Sequence, residues 1–160
     1  NLSHLRPIHP APVDVAACAL AAIEAAGLPE TVEVHVEGLT GLPPVVAGKQ
    51  SLALVFVNLL ENAAEAMAGQ GKVTLEGCRV DEGWVDVCVS DDGPGISPAL
   101  QKSVFEFNFS GRKSSRPSIG FGLWWVKTLM ARLGGSITVH SDGVDGSTFR
   151  LRLPRAKVGA

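Results

Sequence analysis

"NLLENAAEAM", residues 58–67, decides how this chain is read. The segment is rich in Ala and Leu, as a buried helix should be, yet two carboxamides and two carboxylates interrupt it. At about 100° per residue, with Asn58 at the origin, Asn62 falls at about +40°, Glu65 at about −20° and Glu61 at about −60°. Ser51 and Gly69 fall near roughly +20° on the same count. Nearly everything else on a helix from about Lys49 to Ala68 is apolar: Leu52, Val55, Phe56, Val57, Leu59, Leu60, Ala63, Ala64, Ala66 and Met67. No Lys or Arg lies between Lys49 and Lys72. A slim solvent stripe on a core helix would leave this pattern. So would a strip of oxygen acceptors for a hard divalent ion, since magnesium takes oxygen ligands.

Either side of this helix the pattern is mixed. Residues 1–13 contain Pro7, Pro10 and Pro12 and read as an extended lead-in, a linker from an upstream domain. The chain starts without Met or a secretory pattern, which suggests a piece cut from a longer protein. Residues 14–160 read as one domain. Asp14 is placed to cap a helix running to about Ala26, which Gly27 and Pro29 stop. "TVEVHVE" (31–37) alternates as a half-buried strand, and a short strand follows at 45–46. After the long helix, strands over 72–80 and 84–91 form a hairpin. Only a short helix is expected in 92–121, near 98–104. A helix over about 121–133 and strands over 136–142 and 147–153 complete the order. Helices and hairpins in this sequence predict an α+β two-layer sandwich, a mixed and mostly antiparallel sheet with helices on one face.

Composition narrows the function classes. The hydrophobic fraction is 46% and the charged fraction 19%, values of an ordinary globular protein. A net charge of −2 gives no general attraction to nucleic acid or to an anionic membrane. No apolar run approaches the ~20 residues that span a bilayer. Cys18, Cys78 and Cys88 show no CxxC spacing, so they read as three buried thiols in a reducing cytoplasm.

Two further stretches carry chemistry. In "VDVCVSDDGPGI", Val85, Val87 and Val89 share a face and Asp91 continues it, so Asp91 points into the layer between sheet and helices while Asp92 points away. A buried carboxylate needs donors, and the exocyclic amine of adenine is one. Gly93 and Gly95 let the backbone turn sharply and approach a flat ligand. A tight turn capped by Asp91 is the plainer alternative. From Asn108 to Ile119 come Arg112, Lys113, Arg116 and four serines without an acid, and then Gly120 and Gly122 lead into a helix start. That arrangement suits phosphate under a basic lid; a surface loop would also explain it. Together the three stretches supply the parts of a magnesium–ATP site, and no Walker or protein-kinase set is present.

With these residues in order, the chain resembles the catalytic ATP-binding domain of sensor histidine kinases, in the superfamily shared with DNA gyrase, a heat-shock chaperone and a mismatch-repair ATPase. "NLLENAAEAM" is similar to the N box, "DDGPGI" to the G1 box, "VFEFNFS" to the F box and "GFGL" to the G2 box. The resemblance covers about residues 14–154 and implies the Bergerat ATP-binding fold, with ATP and Mg2+ as ligands. Asn62 is then the magnesium ligand. Asn58 stands where hydrolytic relatives keep a general-base glutamate, and Glu61 lies where it orients a water or the acceptor histidine. Glu65, Asp91, Gly93, Gly95 and Ile96 would line the nucleotide slot. Phe105 and Phe109 would anchor the lid, Arg112 or Lys113 would contact phosphate, and Gly120, Phe121, Gly122 and Leu123 would complete the phosphate side.

Two departures stand out: Trp124 replaces a usual third glycine, and Phe107 and Asn108 replace Pro and Phe of the F box. None of His4, His9, His35 and His140 sits in a phosphoacceptor context, which implies an acceptor histidine on an upstream dimerisation and phosphotransfer domain. The resemblance further implies a response-regulator receiver domain as partner, a homodimeric full-length protein and a cytoplasmic domain without membrane contact. A related ATPase, a protein serine kinase or a non-catalytic nucleotide sensor shares the same boxes.

Overall fold

The alternation that the sequence shows at residues 85–89 is realised as one face of a five-stranded sheet. Val85, Val87 and Val89 are buried, as are Val73 and Leu75 on one neighbouring strand and Phe149, Leu151 and Leu153 on the other. The computed structural model describes residues 8–106 and 122–157. In chain order the elements are β1 (Ala11–Val13), α1 (Val15–Ala26), β2 (Val32–Glu37), β3 (Val45–Ala47), α2 (Lys49–Ala66), β4 (Gly71–Val80), β5 (Trp84–Asp91), α3 (Pro98–Gln101), α4 (Gly122–Arg132), β6 (Ser136–His140) and β7 (Ser147–Pro154). The large sheet has the order β2-β4-β5-β7-β6. Only β2 and β4 run parallel, and the other three pairings are antiparallel. This is the α+β sandwich expected, with a mixed sheet and its helices on one face.

Local chemistry sets the helix ends. Asp14 Oδ1 accepts from the amides of Ala16 at 2.9 Å and Ala17 at 3.4 Å, satisfying two of the donors a helix start leaves open. Gly27, at φ 56°, ends α1 in the left-handed conformation. In α2 the buried residues Leu52, Val55, Phe56, Leu59, Leu60, Ala63 and Ala64 recur at three- and four-residue steps, so one stripe faces the core. α2 ends two residues earlier than its polar pattern suggests, because Gly69 N–H donates back to Ala64 O at 2.8 Å and closes the last turn. Gly69 therefore lies beyond the helix. α1 and α4 flank α2, and the largest fully buried side chains include Phe56, Phe149, Leu129 and Met130. Each such side chain contributes about 1.5–3 kcal/mol of burial.

The lead-in is part of the packed structure at its end. Ala11–Val13 pairs antiparallel with β3, Val13 against Val45, and Val13 is buried. The 98–104 helix is shorter than expected, a single turn ending at Gln101, and β6 stops at His140. On the outer face of the sheet, Asp86 is wholly shielded from solvent by two arginines of β7: Arg150 Nε and Arg152 Nε each approach its carboxylate at 2.9 Å. The hydrogen bond from Arg152 is the main reason the Asp86 carboxyl is held below its ordinary value, with Arg150 adding to it against the opposing effect of burial. The expectation of three buried thiols fails at Cys78, which is exposed, while Cys18 and Cys88 are buried. The reason is its phase: Cys78 lies two residues beyond Glu76, which faces Cys88 across the ladder, so both point to the outer side of the sheet. His35 is half-buried beside Glu33, with Nε2 3.1 Å from its carboxylate.

Candidate active site

The C-terminal end of α2 meets the loop that follows β5, Ala66 O standing against Gly93. Asn58, Glu61, Asn62 and Glu65 are all half-buried, flanked by fully buried neighbours, so the strip lies at a boundary of the core and not on an open helix face. Asp91 is the last residue of β5, half-buried, while Asp92 is exposed and accepts the Lys72 amide at 3.0 Å. Gly93 N–H donates to Asp91 Oδ1 at 2.9 Å, and the Ser147 hydroxyl donates to Asp91 Oδ2 at 2.8 Å. An ionised carboxylate offers roughly four acceptor positions. Both oxygens of Asp91 are therefore fixed while each keeps capacity for another donor.

The glycines of this loop are used by the chain itself. A Cβ on Gly93 would stand 3.2 Å from Ala66 O, which places the loop against the C-terminal end of α2. Gly95 has φ 86°, and a Cβ there would stand 2.8 Å from both Ser141 Oγ and Val144 N of the β6–β7 turn. That turn is tied to the loop: Ile96 N–H donates to Ser141 Oγ at 2.9 Å, and Gln101 Nε2 donates to Ile96 O at 2.7 Å and to Ser141 O at 2.8 Å. Asp142 caps the same turn through the Asp145 and Val144 amides, which hold its carboxyl below the ordinary value. Ile96 is buried among the core residues. The loop is thus wedged between α2 and the β6–β7 turn.

Phe105 stacks edge-on against core Phe149 at 6.2 Å between ring centroids, and Lys127 Nζ lies 5.4 Å from the Phe105 ring. α4 begins at Gly122, where φ is 50°, and Leu123 packs on the core. Trp124 is accommodated within α4, which runs unbroken to Arg132. It lines a groove of ≈ 580 Å³ with Phe105, Lys127, Thr128, Ala131 and Arg132, and neither Asp91 nor the α2 strip contributes to that groove. Phe109, Arg112, Lys113, Gly120 and Phe121 lie outside the described residues, as do Phe107 and Asn108.

Among the described residues no group of three or more His, Cys, Asp or Glu comes together. The oxygens of the α2 strip fit magnesium in the way that ion is commonly held, by one or two protein oxygens completed by phosphate and water.

Ser147, Ser141 and Gln101 escape a motif-based reading. Ser147 nevertheless left a signal: it occupies the inward phase of β7 with Phe149, Leu151 and Leu153, and a polar residue on a buried phase needs a partner.

An α+β sandwich with a fixed carboxylate at a strand end beside a polar helix strip defines a class of nucleotide-binding ATPase domain. The chain belongs to the family described as histidine kinase-, DNA gyrase B- and HSP90-like ATPases, which it matches over residues 47–157. It is 32% identical over 143 residues to the adaptive-response sensory kinase SasA of Prochlorococcus marinus (strain MIT 9303), covering 88% of this chain and 39% of that protein. It is 38% identical over 128 residues to the sensory histidine kinase/phosphatase NtrB of Rhodobacter capsulatus, covering 72% of this chain and 35% of that protein. Among solved structures, a mycobacterial sensor histidine kinase, MprB, superposes with a TM-score of 0.77 at 26% identity over 94% of this chain and all of that one. The chain therefore spans well under half the length of these curated relatives. Among the described residues no helix is long and apolar enough to cross a membrane.

Proposed function

We propose that this domain binds Mg2+–ATP between the α2 strip and the β5–β7 edge and transfers the γ-phosphoryl group to a histidine of a neighbouring dimerisation domain. The observation that carries the reading is the Asp91 carboxylate, pinned by the Gly93 amide and the Ser147 hydroxyl yet open to a further donor. Its charge accepts the exocyclic amine of adenine, and its fixed orientation selects a base with a donor at that edge. Asn62, from the half-buried arc, supplies a neutral oxygen to magnesium, which neutralises phosphate charge when bound. Asn58 offers an amide on the same arc, and an amide cannot take a proton from water; the site favours transfer to a protein nucleophile over hydrolysis. Positioning and charge neutralisation then provide most of the rate. Arg112 and Lys113 are assigned to the phosphate side on sequence grounds.

In the full-length protein the acceptor histidine lies upstream on a homodimer, the phosphoryl group passes on to an aspartate of a response-regulator receiver domain, and this domain works in the cytoplasm. The residues before Ala11, where β1 begins, form the connection to that upstream part. The test mixes the domain with a histidine-bearing dimerisation segment and γ-labelled ATP. An acid-labile, base-stable phosphoprotein supports the reading. An acid-stable product points to a serine kinase, and nucleotide binding without transfer points to a sensor module.

A further inference from the structure

The outer face of the sheet carries a feature that nucleotide chemistry does not use. Cys88 follows Val87 on β5 and so points away from the helices; its ladder neighbours are Glu76 on β4 and Arg150 on β7. Cys78 lies two residues beyond Glu76 on β4 and shares its outward phase, diagonal to Cys88 and beside the bulge between Gly77 and Arg79. The two sulfurs stand 2.7 Å apart, hydrogen-bonded. Both cysteines are free and their sulfurs are neighbours across the ladder. Cys78 is exposed and Cys88 is buried, while Cys18 lies on α1 with its thiol directed at Lys49 O.

We propose that Cys78 and Cys88 form an oxidisable cross-strand dithiol, a modification site for hydroperoxides that closes to an intramolecular disulfide. The chemistry follows from the difference in exposure. Burial, together with the adjacent Cys78, pushes the Cys88 thiol up to about 12, with Arg150 opposing that shift, so Cys88 stays protonated and shielded. Cys78 meets the oxidant. Its sulfur attacks the peroxide, the O–O bond breaks, an alcohol or water leaves, and Cys78 becomes a sulfenic acid. Cys88 sulfur then attacks Cys78 sulfur; the S–O bond breaks, and the departing hydroxide takes the Cys88 proton to leave as water. Two thiols and one hydroperoxide give one disulfide, one alcohol and one water, a two-electron exchange. Because the sulfurs are already in contact, the second step needs no strand movement, and it competes with further oxidation of Cys78. The inference is independent of the nucleotide reading.

The test treats the reduced domain with hydrogen peroxide, blocks remaining thiols after denaturation, and maps peptides by mass. The expected product joins the Cys78 and Cys88 peptides with a loss of about 2 Da, leaves Cys18 blockable and reverses with dithiothreitol. In Cys88→Ala, Cys78 should accumulate as a sulfenic acid captured by dimedone; in Cys78→Ser, Cys88 should stay reduced under the same dose. Circular dichroism checks that each variant is folded, and Cys88→Ser replaces Cys88→Ala if the latter is not. Accumulation of sulfinic acid at Cys78 in the unsubstituted protein, disulfide-linked dimers, or two unmodified thiols would each overturn the proposal.

Discussion

Ser147 Oγ lies 2.8 Å from Asp91 Oδ2, and the two residues are register partners across β5 and β7. Ser147 is buried, and its donation fixes the orientation of the Asp91 carboxylate. Asp91→Ala should weaken ATP binding by about 10- to 100-fold, the worth of a hydrogen bond to a charged group. Ser147→Ala leaves the charge in place but frees its rotation, and should cost about fivefold. The double variant should cost little more than Asp91→Ala, because Ser147 acts through Asp91. Calorimetric titration of all four proteins measures this; additive losses would show that Ser147 acts on its own.

Asn62 sits about 40° from Asn58 on the α2 arc, on a helix whose register is set by its buried stripe. Removing its carboxamide by Asn62→Ala should reduce affinity for Mg2+–ATP by about tenfold while leaving metal-free ATP binding nearly unchanged, since magnesium loses one oxygen but keeps water and phosphate. Paired titrations with magnesium and with EDTA separate the two. Equal losses under both conditions would place Asn62 on the nucleotide and not on the metal.

Gly95 is held at φ 86° with the β6–β7 turn packed where its side chain would be. Gly95→Ala should displace the loop from Ser141 and weaken the Ile96 amide bond to that hydroxyl. The combined strain and overlap should cost about 2–3 kcal/mol in urea unfolding. ATP affinity should fall as well, because Asp91 enters the same loop. Preserved stability with lost binding would mean that the glycine faces the ligand after all.

The elements most legible in the sequence are those whose order is local. α2 shows itself through three- and four-residue spacing, β5 through alternate valines, and α1 through Asp14 and Gly27. The G1 loop is also visible, because Asp91 keeps the phase of the valines before it. What the sequence hides is set by distant partners. β2 lies parallel to β4, with β3 and α2 intervening in the chain, and β7 sits between β5 and β6; no short motif encodes either. The Asp91–Ser147 bond spans 56 residues. Cys78 shares the outward phase of Glu76, but only the pairing of β4 with β5 brings it beside Cys88. Val13 looks like part of a proline-rich lead-in until β3 supplies its partner.

Asp86 gives a pH-dependent prediction whose sign follows from its partners. Arg152 and Arg150 hold its carboxyl below the ordinary value of 3.8, so the folded state binds this proton less readily than the unfolded state. The stabilisation is therefore complete above the unfolded value and is lost as pH falls below it, through the folded value. Asp86→Asn removes the charge but keeps the shape. The guanidinium groups left behind are 42% and 41% exposed and can hydrate, which keeps the loss below that of a fully buried orphan charge. The variant should be less stable by about 2 kcal/mol at pH 7. The deficit should shrink below pH 4, where the unfolded original protein takes up a proton at this position while the folded one still keeps the charge. Urea unfolding at pH 7 and at pH 3, with the slope unchanged, measures both values. A deficit that stays constant across that range would mean that shape, and not the charge on Asp86, holds the two arginines in place.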